Sequence, residues 1–169
     1  MTVHLLFLSI HTLTHTSLDF RHTLWFVNYF FYGRGHKNHQ LGRGFFVHHR
    51  IASAGKRVEF VGNHRMSYIV LRGRWCNIIL LNEHAPTKEK SDNSKASFYE
   101  ELERVFKHFP KHHTKILRGD FNAKVGREDI FKPTIGNDSL HQDCNDNGVR
   151  IVNFAISKNL VDNSTVFLH

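Results

Sequence analysis

An α/β sandwich is the fold class this sequence predicts, and three observations predict it. Short apolar runs bounded by Gly, Asn and Pro recur along the chain. Two stretches between them carry helical rather than strand periodicity. The resulting order in the C-terminal half, strand, helix, strand, helix, strand, packs helices against a sheet and makes the loops that follow strands the natural place for a site. The 169 residues, 40% of them apolar, suffice for about one domain. No run approaches the roughly 18 apolar residues of a membrane-spanning helix, and the aromatic content exceeds that of a disordered chain.

Residues 1–27 read differently from the rest. Thr and His alternate around short apolar runs, with Asp19 and Arg21 the only charges. Leu5 to Ile10 has the look of a signal-peptide core, but a basic segment before it and an Ala-x-Ala site after it are both lacking, so secretion is not expected. We therefore expect a divergent, poorly structured leader over 1–27 and the domain proper over 28–169.

Asn28 to Tyr32 is aromatic and strand-like, Gly33 to Gly44 is a Gly/His/basic loop, and Phe45 to His48 is apolar enough for a buried strand. Ser67 to Leu71 and Cys76 to Leu81 flank Arg72-Gly73-Arg74 and read as a hairpin. Ile78-Ile79-Leu80-Leu81 lacks alternation, which fits a strand covered on both faces. A loop is expected from Asn82 to about Asn93. Ser97 and Glu100 have capping-box spacing, and Phe98, Leu102, Val105, Phe106 and Phe109 form one helical stripe that Pro110 ends. Lys115 to Leu117 is a short strand, Gly119 to Gly126 a loop, Val149 to Lys158 a helix with Val152, Ala155 and Ile156 on one face, and Thr165 to Leu168 a further strand.

Charge is unevenly placed. Residues 1–82 hold ten Lys or Arg against Asp19 and Glu59, a net +8, whereas residues 83–169 hold thirteen of each sign. A basic half of this kind attracts polyanions through phosphate neutralisation and counterion release. It is equally the composition of a solvated basic face. Cys76 and Cys144 are too few for a disulfide framework, and a reducing, intracellular compartment, nuclear or cytoplasmic, is expected. The fifteen histidines raise a zinc reading, but His48-His49 and His112-His113 are adjacent pairs, whose rings point apart on a strand, and neither Cys has a Cys or His at zinc-ligand spacing.

Two strand-to-loop junctions concentrate polar groups: Asn82-Glu83-His84-Ala85-Pro86-Thr87 and Gly119-Asp120-Phe121-Asn122-Ala123. A glycine before the aspartate lets the backbone turn so that a carboxylate and a carboxamide leave the same sheet edge. Such a carboxylate can hold a divalent cation or orient a water, and the carboxamide can hydrogen-bond a phosphate oxygen without adding negative charge. An Asx-turn accounts for Asp-Phe-Asn just as simply.

The order and spacing of these junctions, with the helix around Phe98-Tyr99-Glu100-Glu101-Leu102 and the string Asn145-Asp146-Asn147-Gly148, resemble the endonuclease/exonuclease/phosphatase superfamily, and within it the apurinic-type endonuclease domain of non-LTR retrotransposons. The resemblance covers about Asn28 to His169. It implies a four-layer α/β sandwich, two packed mixed sheets flanked by helices, here incomplete, and a Mg²⁺-dependent phosphodiesterase acting on DNA or another nucleic acid. It gives Asp120 the metal and the nucleophilic water, Asn122 a phosphate oxygen, and His84 the place where many relatives carry a phosphate-contacting tyrosine. Asn82 would support its loop; Arg43 and Arg65 of the basic half, with Lys124 and Arg127, are the candidate contacts to the nucleic-acid backbone, although solvated loop charges account more simply for Lys124 and Arg127. No membrane and no obligate protein partner are implied.

The pattern also departs from the family. An early asparagine, a metal-binding glutamate and a late Asp-His pair cannot be placed: the first Glu is Glu59, no Asp-His dipeptide occurs, and the chain stops at His169. Losing one member of a catalytic unit costs orders of magnitude in rate. The expectation is thus a truncated or degenerate endonuclease-like domain with little or no activity, with a non-enzymatic nucleic-acid-binding module as the alternative. Arg118, where this strand is usually apolar, would be costly if it faced the core unpaired.

Overall fold

The computed structural model describes residues 10–13, 29–33, 43–61, 65–126 and 143–160. In chain order their elements are β1 (Ile10–Leu13), β2 (Tyr29–Gly33), β3 (Arg43–Val47), α1 (His49–Ala52), β4 (Gly55–Val61), β5 (Met66–Leu71), β6 (Ile78–His84), α2 (Asp92–His108), β7 (Thr114–Asp120) and α3 (Asp146–Ser157). They divide into two units, residues 1–84 with 101–119 and residues 85–100 with 120–169.

The first unit holds two sheets. One is antiparallel in the order β1-β3-β2, with Phe45 opposite Thr12 on one side and Phe31 on the other. The second is mixed, in the order β4-β5-β6-β7. Every residue of β5 is buried, and Ile79 to Glu83 of β6 are too, so these strands are covered on both faces, as the unbroken run from Ile78 to Leu81 predicts for β6. On one face Ile69, Leu71 and Leu80 meet Phe45 and Val47 of the other sheet, with Ile51, Val58, Ile78 and Ile116 around them. On the other, Tyr68 meets Phe109 edge to face at 4.9 Å between ring centres. Successive residues of a strand point to opposite faces, so Tyr68 and Ile69 divide the sheet's two contacts between them.

Tyr68 also closes a polar corner with its register partner Glu59. Its hydroxyl donates to Glu59 Oε2 at 2.5 Å and accepts from Arg57 Nη2 at 3.0 Å, while Arg57 Nε lies 3.0 Å from Glu59 Oε1. Burial, followed by the Glu59 hydrogen bond and charge, pushes the phenol up to about 12. Glu59, the first glutamate of the chain, is thereby engaged by an arginine and a tyrosine of its own sheet.

In the second unit Ser91 starts α2: its Oγ accepts from Ser94 N at 3.4 Å and its carbonyl from Lys95 N at 3.2 Å. Helix α3 starts at Asn145, whose Oδ1 accepts from Gly148 N at 2.7 Å. It buries Val152, Phe154 and Ala155, with Val125, Cys144 and Ile151 packed around Val152.

Several sequence expectations need correction. The capping-box spacing at Ser97 and Glu100 is not a helix start, because Ser91 caps α2 one and a half turns earlier and Ser97 is interior. The stripe is correct: Phe98, Leu102, Val105, Phe106 and Phe109 are all buried. Strand β6 begins at Ile78 rather than Cys76, since Asn77 O accepts from Thr114 N and so leaves the β5 ladder. It continues through Asn82 and Glu83, which pair with Ser67 and Met66 instead of opening a loop. On α3, Ile156 is 44% exposed, and with Val149 two turns earlier it lies outside the buried arc, which Phe154 joins. Arg118 is half-buried and has an interaction partner, so no unpaired core charge arises there. The expected strand at Thr165 to Leu168 and most of the 1–27 leader lie outside the described residues; within the leader, Ile10–Leu13 forms β1.

Ile69 is fully buried between the two sheets. Ile69→Ala is expected to cost about 2 to 5 kcal/mol, read as a lower urea midpoint with an unchanged slope.

Candidate functional site

At the end of β6, Asn82 and Glu83 are fully buried and His84 is half-buried, its N–H donating to Arg65 O at 3.1 Å. Neighbouring β7 approaches this end closely, which Gly119 makes possible. A Cβ there would lie 1.9 Å from Glu83 O, and its φ of +157° is one that side chains disfavour. Asp120, the last residue of β7, is exposed.

From Asp120 onward the second unit is a knot of carboxamides and backbone. Asp120 Oδ1 accepts from Asn122 N at 2.9 Å, which is the Asx-turn geometry, and Asp120 O accepts from Ala85 N at 2.8 Å. Asn122 takes a left-handed φ of 49°, a conformation asparagine tolerates better than most side chains. Its Nδ2 donates to Ala85 O at 2.9 Å. Its carbonyl receives Asn145 Nδ2 at 3.0 Å and Asn147 Nδ2 at 3.3 Å, and the latter also reaches Pro86 O at 2.9 Å. Lys124 N donates to Asn145 Oδ1 at 3.0 Å, and Asn145 N returns a bond to Lys124 O at 3.1 Å. Gly148 seats the helix start against this loop, since a Cβ would stand 1.9 Å from Lys124 O. Tyr99 OH donates to Asn147 O at 3.3 Å, so α2 meets α3 at the same place.

A charge network lies beside the knot. Lys95, 6% exposed, is 3.2 Å from Asp146 and 3.7 Å from Asp92. Arg150 approaches Asp146 at 3.1 Å and Asp92 at 3.9 Å. Two carboxylates thus meet two cations, and the buried ammonium is compensated. The hydrogen bond from Arg150, followed by that from Lys95, holds the Asp146 carboxyl below its usual range.

The structure therefore gathers Asp120, Asn122 and Lys124 into one loop, with the carboxylate of Asp120 and the side chain of Lys124 exposed. It places His84 and Arg65 together in the other unit. Arg43 lies on β3 with its side chain outside the described residues, and Arg127 lies outside them altogether. Asn145, Asn147 and Tyr99 were not identified as site residues from sequence. An Asn followed three residues on by Gly before an apolar run does signal the Asn145 cap, whereas nothing local signals the Asn147 bond to Pro86, 61 residues away. Among the described residues no group of three or more His, Cys, Asp or Glu is placed to hold a metal ion. A single exposed carboxylate suits only a cation that keeps most of its own water, as Mg²⁺ does, and no cation that requires a protein cage.

The α/β fold has a counterpart among solved structures. The solved endonuclease domain of TRAS1, a telomere-specific non-LTR retrotransposon, superposes with a TM-score of 0.57 at 15% identity, covering 89% of this chain and 59% of that one. In sequence the chain is similar to Craniofacial development protein 2 of Bos taurus, 31% identical over 105 residues, which are 62% of this chain and 17% of that protein. The protein of the same name from Tragulus javanicus gives 31% over 105 residues, 62% and 18%. The chain thus spans less than a fifth of the curated relatives' length. No protein-family model matches it.

Asn145→Ala removes a helix cap and a loop fastening together, and a loss of about 1 to 2 kcal/mol in denaturant unfolding is expected. Because the Asp146 carboxyl is lowered on folding, its contribution is complete above its ordinary value of 3.8 and fades as pH falls through the lowered one. Thermal unfolding of the chain and of Asp146→Asn should accordingly differ most near neutrality and converge in strong acid.

Proposed function

We propose that this chain is an endonuclease-like domain that holds a nucleic-acid backbone and hydrolyses it slowly or not at all. One observation carries the reading: an exposed aspartate at a strand end, on a loop whose every turn is fixed by hydrogen bonds. Preorganisation of that kind is what phosphoryl chemistry requires of a protein. In this proposal Asp120 orients a water and offers its carboxylate to Mg²⁺, Asn122 faces a phosphate oxygen, and His84 is a phosphate contact at the end of β6. Bound Mg²⁺ would supply neutralisation of phosphate charge. Lys124, Arg65, Arg43 and Arg127 are the proposed backbone-facing cations, and their binding energy would fall with salt.

The low rate is proposed on the donors that are present. Asn122 already spends one amide N–H on Ala85 O, Asp120 already accepts from Asn122 N, and one carboxylate holds a hydrated cation weakly. The same points favour the second reading, a binding module without hydrolysis.

Supercoiled plasmid incubated with Mg²⁺ separates the two, with Asp120→Ala as the control and duplex binding measured at two salt concentrations. The expected result is nicking no faster than the Asp120→Ala background, with binding that weakens steeply as salt rises. Robust nicking abolished by Asp120→Ala would overturn the low-activity proposal, and absence of any salt-sensitive binding would overturn the nucleic-acid reading.

A further inference from the structure

At the end of β6 remote from His84, the connection from β5 carries a surface that the proposed function does not use. Strand β6 runs seven residues from Ile78 to His84, about 20 Å at 3.3 Å per residue, so the two ends are well separated. Trp75 sits on this connection, 88% exposed. Single exposed apolar side chains are ordinary, but the surroundings of this one are not. The guanidinium of Arg74 lies over the indole, 5.1 Å from its centre. A cation over one face leaves the other face to solvent. Arg72 and Arg74 are both exposed, and Arg72 N is tied to Ala54 O at 2.7 Å, which brings the segment bearing exposed Lys56 alongside.

The base of the connection is rigid. Asn77 Nδ2 lies 3.1 Å from His113 Nε2, Asn77 O accepts from Thr114 N at 3.1 Å, and Cys76 Sγ lies 3.5 Å from Thr114 Oγ1. The three segments that meet here, 54–57, 72–77 and 111–115, contain no Asp or Glu. Burial, then the charges of His112, Lys115 and Lys56, holds the His113 imidazole below its ordinary range.

An exposed aromatic face, open on one side and flanked by cations in segments without a carboxylate, matches one ligand chemistry: a nucleobase with phosphates on either side. In a duplex the base faces are already stacked on one another, so the base that can cover this ring is an unpaired one. We infer that Trp75, with Arg72, Arg74 and Lys56, is a stacking platform for single-stranded nucleic acid, at the end of β6 remote from His84 and independent of hydrolysis at Asp120.

The test uses the full chain carrying Trp25→Phe, which leaves Trp75 as its single tryptophan. Oligothymidylate should quench its emission saturably. Trp75→Ala should weaken binding of a labelled oligothymidylate about tenfold, and Trp75→Phe should recover part of the loss. Replacing Arg72 and Arg74 together by Ala should flatten the log–log salt slope by about 1.4, at roughly 0.7 per phosphate contact. Asp120→Ala should leave the quench intact, so failure at the Asp120 loop and failure here are separate results. Emission unmoved by saturating oligothymidylate, or equal affinity of Trp75→Ala and its parent, would overturn the proposal. So would a blue shift on phosphatidylserine vesicles without any response to oligothymidylate, which would assign the ring to a lipid surface.

Discussion

The Asn145 carboxamide accepts the N–H groups of Gly148 and Lys124 and donates to the carbonyl of Asn122. With these bonds it starts a helix, holds the loop after β7, and fixes the one residue of that loop whose backbone is left-handed. A helix N-terminus leaves backbone donors that something must satisfy. Here the group that satisfies one of them is also the clamp on the loop, so the position of Asp120 and the integrity of α3 depend on the same side chain. Asn147 repeats the arrangement two residues on, bonding Pro86 and Asn122 with one amide nitrogen.

Polar groups in this protein are placed where geometry must be exact to within a bond length, and apolar groups where it need only be filled. The two sheets of the first unit interlock through Phe45, Val47, Ile69, Leu71 and Leu80, side chains with no directional demand. The corner of Arg57, Glu59 and Tyr68 and the network of Lys95, Asp92, Asp146 and Arg150 behave differently. Each contains one buried member whose alternatives are poor: a phenol that would lose its acceptor, or an ammonium left without a counter-charge. Such groups add little net stability but exclude neighbouring arrangements, which is the service a site loop needs from its support.

Much of this was legible from the residues alone. The unbroken apolar run of β6 and the helical stripe of α2 each report a local physical demand and lie where they were expected, whereas the loop expected from Gly119 begins only after Asp120, the last residue of β7. Boundaries were less legible for identifiable reasons. Ser97 and Glu100 satisfy a spacing rule, yet Ser91 offers the same chemistry earlier and the apolar stripe cannot tell the two starts apart. Asn82 and Glu83 look like loop residues because a strand rarely buries them; their partners Ser67 and Met66 are on another strand and invisible to a local reading. The site was half legible. Asp120 and Asn122 stand in a recognisable string, whereas the roles of Asn147 and Tyr99 exist only through bonds across 25 to 61 residues of chain.

The pair of hydrogen bonds between Lys124 and Asn145 has a consequence for how a domain of this kind can vary. The chain that leaves at Gly126 and returns at Asp143 is closed at its neck, whatever conformation it adopts between. Once a loop's ends are fixed, doubling its length adds only about 0.6 kcal/mol of closure entropy. The corner that positions Asp120 therefore keeps its fastening whatever the number of residues between Gly126 and Asp143. A change in that length would leave the turn at Asp120 with all of its own fastenings.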